Sequence, residues 1–540
     1  MQFRILLPKK GSLSPWQLVM LLVALIPLAN VNTCLAQVPD IIWSKTFGGP
    51  GNDVMQDIFP TADGNFIMLG LTDSTGGDVT CAIKGKHDTW VIKMAPDSTI
   101  LWQKCFGGTL EEGNPNSKII QTSDGGFLFQ TESWSDDFDV QGHHSQSDAW
   151  TVKLDANGNK IWAHSFGGTD FDTPRFMLEL PGHKYLLMSR TTSHNGDVPN
   201  NSYPDFFNAW VFVVDQDGNI IRNNIYGGSG DDDLYKAILR PDGTLAMFGL
   251  TNSTDGDLAG LNTQGVDGWM LVTDTMGNVI SSKVYGHQNE EDILDVFPTA
   301  DGGFITFGDT QDPTVAVENG SWHGDYDFWA MKLDGNGNVQ WQGIYGGLKR
   351  EQLHRGAISS YDGSYFLSGS TLSTDGDILN EENKAREYCL MRISSAGVFQ
   401  WSVAIGGSEP EYCYSMLDGG FVVGGAYSND GDVSGLQGDA DGWVVKFDVP
   451  TLIQQMESST GLQIFPNPSN NKVHIDYGTI NAPEVVEIKN ILGQTVCSLP
   501  SGQQHADIDV QGWMPGNYYL VIRTKSGSAR HYVKPFEVVK

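Results

Sequence analysis

The sequence predicts an all-β chain: a seven-bladed β-propeller followed by a small C-terminal β-sandwich. Three observations carry this expectation. A glycine pair behind an aromatic residue, Phe47-Gly48-Gly49, returns at Gly107, Gly167, Gly227, Gly286, Gly346 and Gly406, at intervals of 59, 60, 60, 59, 60 and 60 residues. A fixed period of this length marks a solenoid, a propeller or a tandem array. Glycine makes up 64 of 540 residues, an abundance that serves many tight turns between short strands. Finally, no segment carries a convincing helical period, while strand-like alternation recurs throughout.

The chain begins with a targeting segment. Lys9 and Lys10 are basic, Leu18 to Ala29 is apolar, and Cys34-Leu35-Ala36 ends in the small residue a signal peptidase prefers. Residues 1–36 are therefore expected to be a signal peptide, with Gln37 starting the mature chain. The alternative, a lipidated Cys34, is disfavoured by Thr33. The apolar run is short for a membrane span, and nothing later reads as one.

Each repeat over residues 37–448 reads as four strands. The first follows the glycine pair, as in Val54–Phe59. A Thr-Ala-Asp-Gly turn leads to the second, Phe66–Thr72, because Asp-Gly and Asn-Gly favour positive φ and tight hairpins. The third starts near a tryptophan: Trp90, Trp150, Trp329 or Trp443. A turn such as Asp155-Ala-Asn-Gly-Asn159 then leads to the fourth, Ile161 to Phe166 and its equivalents. Four-stranded units of this size fit propeller blades. The region opens on a lone fourth strand, Ile41–Phe47, and stops after a third, Trp443–Asp448. The first segment is thus expected to complete the last blade, removing two open sheet edges. Repeats three, five, six and seven depart from the pattern at Pro181-Gly182, Gly286-His287, Glu387-Tyr388-Cys389 and the shortened run before Asp418.

These residues, with "WSKTFGGPGND" from Trp43 and "DGNFIMLGLT" from Asp63, resemble the SBBP-type seven-bladed propeller repeat of bacterial secreted proteins. The resemblance covers roughly 41–448 and implies a fold rather than an activity. After a linker at 449–461, residues 462–540 hold "IFPNPSNNKVHIDY", "VEIKNILGQTV" and "MPGNYYLVI". Pro466-Asn467-Pro468, Asn490, Gly493-Gln494, Gly516, Tyr518 and the basic end at Lys534 and Lys540 resemble the type A sorting domain of the Bacteroidetes type IX secretion system. That resemblance implies a sandwich that does no chemistry itself. It also implies passage across the outer membrane, removal of the domain, and release or attachment at the cell surface; the secretion machinery is the expected partner.

Charge narrows the function. Residues 37–460 carry 23 Lys/Arg and 59 Asp/Glu, a net of −36, whereas 461–540 carry seven and six. Nucleic acids and anionic membranes need positive patches, so neither is an expected partner, and a monomer is expected. Five cysteines would remain after cleavage; Cys81–Cys105 and Cys389–Cys413 could each pair in an oxidising compartment.

Several groups are candidates for a site. Loops between second and third strands contain Asp255-Gly-Asp257, Asp375-Gly-Asp377 and Asp430-Gly-Asp432. Carboxylates around a glycine turn can hold Ca²⁺, and they can equally cap their own backbone as Asx turns. Acids also follow each glycine pair: Asp53, Glu111 or Glu112, Asp170 or Asp172, Asp231 to Asp233, Glu290 to Asp292, Glu351, and Glu409 or Glu411. If the next strand is innermost, these would ring one mouth of the channel. His143-His144 could be ligands or a proton-transfer pair but read first as a solvated loop pair, and the roles of His287, His323 and His354 are left open. The in-phase tryptophans belong to the core. Trp134 and Trp322 fall outside that phase and are the candidate ligand-contact aromatics. No nucleophile motif, P-loop or dinucleotide fingerprint is present. The resulting expectation is a non-enzymatic surface or secreted scaffold for a glycan or protein, with no catalytic residue and no certain cofactor. The alternative is a polysaccharide lyase or glycoside hydrolase working through channel-mouth acids.

Overall fold

The structure is a computed structural model. It describes residues 38–203, 205–286, 288–315, 317–359, 362–378, 385–418 and 420–449, and, further on, 463–465, 471–476, 483–490, 495–499, 505–511, 513, 516–524 and 531–538. The expected signal peptide and most of the linker lie outside these residues.

Turn chemistry decides where the strands reverse. Asp155 Oδ1 accepts the amides of Asn157 and Asn159, both at 2.8 Å, and Gly158 takes φ of +78°. The same Asp-x-x-Gly-Asn turn recurs at Asp215, Asp274 and Asp334. Short side chains that bond their own backbone make this reversal cheap, and glycine supplies the left-handed residue.

Between the turns, strands of mostly seven residues pair antiparallel. Among the described residues up to 449 they form seven sheets, each with four consecutive strands or their equivalent. The fifth adds a two-residue parallel strand, Asn319–Gly320. The last sheet takes its outer strand from the start of the chain, where Ile41–Phe47 pairs with Asp441–Phe447. The innermost strands, Asp53–Pro60, Lys118–Gln121, Asp172–Leu180, Asp232–Leu239, Asp295–Pro298, Glu351–Ile358 and Tyr412–Leu417, each touch the next, and the last touches the first. The ring is therefore closed, as a β-propeller requires.

The core lies between neighbouring sheets. Ile67, Leu69 and Val91 of the first pack on Ile119, Phe129 and Trp150 of the second. Trp90, Trp150, Trp210, Trp269 and Trp443 are fully buried on the third strands. Each indole must satisfy its N–H, and most do so on the fourth strand: Trp90 with Gln103 at 3.0 Å, Trp269 with Ser282 at 2.8 Å, Trp443 with Ser44 at 2.8 Å. The Ser44 bond ties the end of the ring to its beginning. In the second sheet Ala163 takes that polar place, and the Trp150 N–H has no partner.

Cys81 and Cys105 form a disulfide. Cys389 and Cys413 do not pair: they sit on different sheets, each as a buried free thiol, and Cys413 donates toward Ser368 Oγ at 3.7 Å. The Cys81–Cys105 bridge spans 24 residues. Loop-closure entropy puts such a bridge at about 3 kcal/mol. Cys81→Ser with Cys105→Ser is expected to lower stability by that order, checked by denaturant titration of both proteins; reductant should shift only the parent.

The C-terminal residues form two further sheets. Gln463–Phe465, Lys472–Asp476 and His505–Asp509 make one; Thr495–Leu499, Pro483–Asn490, Gly516–Thr524 and His531–Val538 make the other. Val473, Ile475, Ile488, Leu520 and Ile522 bury against one another between them. This is the expected sandwich.

Candidate functional site

One acid after each glycine pair is buried rather than lining an open mouth. Asp53, Glu112, Asp172, Asp232, Glu291, Glu351 and Glu411 are all at most 1 % exposed. The glycine pair turns so tightly that its amides need an acceptor, and these carboxylates supply it. Gly49 N donates to Asp53 at 2.7 Å, Gly168 N to Asp172 at 2.7 Å, Gly228 N to Asp232 at 2.7 Å and Gly347 N to Glu351 at 2.8 Å. Ser74, Ser193 and Ser253 hydroxyls hold the same oxygens. One acid of each repeat is thus withdrawn into its turn, whereas the other candidates Glu111, Asp231, Glu290 and Glu409 are exposed.

The Asp-Gly-Asp loops complete these turns. Asp257, Asp377 and Asp432 accept the first glycine amides, from Gly227 at 3.0 Å, Gly346 at 3.4 Å and Gly406 at 3.2 Å. Asp255, Asp375 and Asp430 cap Ser229, Leu348 and Ser408 at 2.7, 2.8 and 2.8 Å. Gly256 between them has φ of +60°, and a Cβ there would stand 2.2 Å from the Gly227 carbonyl oxygen. This is the Asx-type arrangement. Among the described residues no group of three or more His, Cys, Asp or Glu is set to hold a metal ion.

The histidines join the same architecture. His144 N and Nδ1 both contact Asp148, the ring at 2.9 Å, and the hydrogen bond of Asp148 draws the His143 imidazole upward in pKa. His323 N donates to Asp327 at 2.6 Å. His354 stacks edge-on to Tyr414 in the ring interior. His287 lies outside the described residues.

The described cavity is elsewhere. A hollow of about 360 Å³ opens between the second and third sheets, lined by Asn114, Glu132, Phe171, Arg175, Arg190 and Phe207 with their neighbours. Arg175 reaches it from the innermost strand of the third sheet, at a bulge between Pro174 and Phe176. A bulge re-aims a side chain, and here it aims the guanidinium at Asp233, with Nε at 2.8 Å from Oδ2. Arg190 stacks over Phe207 at 4.0 Å, and its Nε is buried without a partner. Burial and the nearby Arg175 push the Arg190 pKa down. Glu132 accepts Asn114 Nδ2 at 2.7 Å.

Trp134 stands beside this hollow, edge-on to Phe171 at 6.0 Å, and Phe171 is 41 % exposed. Trp322 is 37 % exposed but is not among the lining residues. Neither out-of-phase tryptophan lines the hollow, but Trp134 borders it through its contact with Phe171. The arginines were not legible as candidates, because Arg175 and Arg190 come together only by strand pairing, Arg190 opposite Thr173.

In the sandwich, Tyr518 is buried and packs on Trp513 at 4.9 Å. Lys534 pairs with Leu520 in the outer strand, and Gly516 pairs with Val538. Asn490 pairs with Tyr518. Pro466, Asn467, Pro468, Gly493, Gln494 and Lys540 lie outside the described residues. No described helix is long and apolar enough to cross a membrane.

Comparison with known proteins bears on the two parts differently. No curated protein matches the chain. Among solved structures, the extracellular domain of the hybrid two component system BT3049 from B. thetaiotaomicron matches with a TM-score of 0.35 at 10% identity, over 92% of this chain and 57% of that one. The chain thus spans little more than half the length of that domain. A protein from Lactobacillus plantarum matches with a TM-score of 0.38 at 10% identity, over 72% and 99%. A puromycin hydrolase matches with a TM-score of 0.39 at 11% identity, over 79% and 59%. Residues 463–534 match the family described as the secretion system C-terminal sorting domain. Those residues make up the C-terminal sandwich, and the chain is therefore a β-propeller protein exported to the cell surface or extracellular space by a type IX secretion sorting domain.

Proposed function

We propose that this protein is a binding scaffold that takes a glycan in the hollow between the second and third sheets. The observation that carries the reading is the union of the exposed Phe171 face, with half-buried Trp134 beside it, and an incompletely bonded guanidinium. Phe171 and Trp134 offer apolar faces on which a sugar ring stacks, while Arg190 has a buried Nε–H with no acceptor. A pocket of a few hundred cubic ångströms with few convergent polar groups is the usual form of a small-ligand site. Asn114 and Glu132 stand ready to bond ring hydroxyls.

A glycan-array screen of the mature chain, with and without Ca²⁺, tests this, with any hit assayed for turnover. Binding without product is expected. Arg190→Ala and Trp134→Ala should each weaken a hit at least tenfold, as loss of a charged hydrogen bond or a stacking face implies. Equal binding by both variants, or silence on every glycan, would remove the reading and turn attention to protein ligands. The calcium arm tests whether the Asp-Gly-Asp loops respond to the ion.

The enzymatic alternative has one supporting observation. Asp292 and Asp309 lie together where the fifth and sixth sheets meet, and the Asp309 amide donates to Asp292 Oδ1 at 2.7 Å. Burial pushes Asp292 up to about 7, and burial with the charge of Asp292 pushes Asp309 well up. A carboxyl group kept protonated near neutrality is what a general acid requires. Product formation on an array hit, abolished by Asp292→Asn, would favour this reading.

A further inference from the structure

The ring interior carries a charge pattern that neither the hollow nor the turns use. On the innermost strands, the residue four places after each buried acid is Asp57 in the first sheet, Lys236 in the fourth, Asp295 in the fifth and Arg355 in the sixth. Arg355 reaches across to Asp57 at 3.4 Å and to Asp295 at 3.8 Å, and Lys236 bonds Asp295. Asp57 also accepts the Ile119 amide at 3.0 Å and the Ser415 hydroxyl at 2.8 Å; Asp295 accepts the Gly356 amide at 3.0 Å. Two carboxylates therefore meet two cations. Lys118, on the innermost strand of the second sheet, adds a third cation that is half-buried and forms no ion pair among the described residues. In a propeller region with a net charge of −36, this interior has an excess of positive charge.

We propose that the propeller channel binds a small monovalent anion against the Lys118 ammonium, flanked by Arg355 and Lys236. The anion would restore a balance of three charges of each sign. Without it the third cation is costly. Burial and the Arg355 charge push Lys118 down to about 7, against the pull of Asp57 and Asp295. Anion binding must then carry a proton with it above that pH, because only the ammonium form pairs. Lys236, Arg355, Asp57 and Asp295 face Lys118 already joined in ion pairs, and Arg175 is paired with Asp233 on the adjoining strands. His354, pushed down to about 3 by burial and by Arg386, Lys118 and Arg355, stays neutral. Burial pushes the Cys413 thiol up to about 12, so it also stays neutral; Gln130, opposite Lys118 on the neighbouring strand, has no charge.

Titration calorimetry of the mature chain with sodium acetate, and separately with sodium chloride, at pH 6.0 and pH 8.5 tests this. Saturable binding is expected, roughly thirtyfold weaker at pH 8.5, since an amine titrating near 7 is mostly protonated at the lower pH and only a few per cent protonated at the higher. Lys118→Met should abolish it. Lys118→Arg should keep the binding and lose the pH dependence, because a guanidinium does not titrate. Absence of saturable binding by either salt at pH 6.0, equal binding by Lys118→Met, or an unchanged pH dependence in Lys118→Arg would each overturn the proposal. Acetate binding without chloride binding would identify a carboxylate site, and both together a general monoanion site.

Discussion

Removing residues 461–540 is expected to abolish surface delivery and leave the propeller in the periplasm. The effect should be close to all-or-none, because a sorting domain is an address read by machinery rather than a contribution to a sum. The match over 463–534 supplies the address. The fold argues that its loss would be clean. The sandwich buries its own core, Val473 and Ile475 against Ile488 and Leu520, and its strands pair only with one another. The ring is closed by Ile41–Phe47, so it needs nothing from the C-terminal end. The truncated chain should therefore melt as the parent propeller does while disappearing from the surface and medium. Cell fractionation with protease shaving reads the first outcome, and a melt of the purified truncation reads the second. Normal delivery of the truncated chain would refute the assignment. Lost delivery with a collapsed melt would mean that the truncation had damaged the propeller, and the test would pass to a fusion of residues 449–540 onto an unrelated periplasmic reporter, which should then reach the surface.

The fold was legible because its determinants are local and repeated. Asp-x-x-Gly-Asn turns, a glycine pair and an in-phase tryptophan each act over a few residues, so seven copies reinforce one reading. Closure was legible too, from a lone strand at one end and a missing one at the other. What escaped the sequence was everything decided by which repeat stands beside which. The acids after the glycine pairs were found, but not their direction: the same residue type serves a channel rim or a turn amide, and only the path of the backbone chooses. The channel charges were hidden for a related reason. The residue four places past each buried acid varies freely, from Asp57 to Lys236 to Arg355 to Ser415. In five of the seven innermost strands it follows a bulge, as between Met55 and Asp57 or Leu353 and Arg355. A column that varies inside an otherwise conserved period is a signal available to sequence reading, and it marks the interior. Arg190 carries no such mark, since its stack on Phe207 joins two strands of one blade only after pairing.

Mild acid should stabilise this propeller, the reverse of ordinary acid denaturation. Around six of the seven glycine turns two buried acids face one another: Asp441 and Asp53 flank Gly48, Asp148 and Asp172 flank Gly167, and Asp327 and Glu351 flank Gly346. Burial pushes Asp172, Asp327 and Glu351 up to about 7 and Asp441 and Asp232 up to about 6, and it raises Asp53 as well. In the unfolded chain these groups titrate near 4. Between about pH 4 and 7 the folded state therefore holds more protons than the unfolded state, and stability falls as pH rises through that window. An opposing set works lower down: against the upward pull of partial burial, hydrogen bonds from Lys332 and Thr299 hold Asp301 down to about 2. Its stabilising share is present above about pH 4 and is lost as pH falls toward 2. The melting temperature should accordingly peak near pH 4 and decline toward pH 8. The fourth repeat already carries an amide in one of these places, where Asn208 stands beside Gly227 as Asp441 stands beside Gly48. Asp441→Asn should keep the acceptor for the Gln437 amide, now 2.8 Å from Oδ2, and remove one buried acid that must ionise. It is expected to stabilise the protein at pH 8 by about 1–3 kcal/mol and to have little effect at pH 4.5. Asp232, raised by burial even beside Asn208, implies that Asp53 would keep its own share, so the slope should shrink rather than vanish. Chemical denaturation of parent and variant across pH 4–8 measures both slopes; a variant less stable than the parent at pH 8 would mean that Asp441 acts there as a carboxylate.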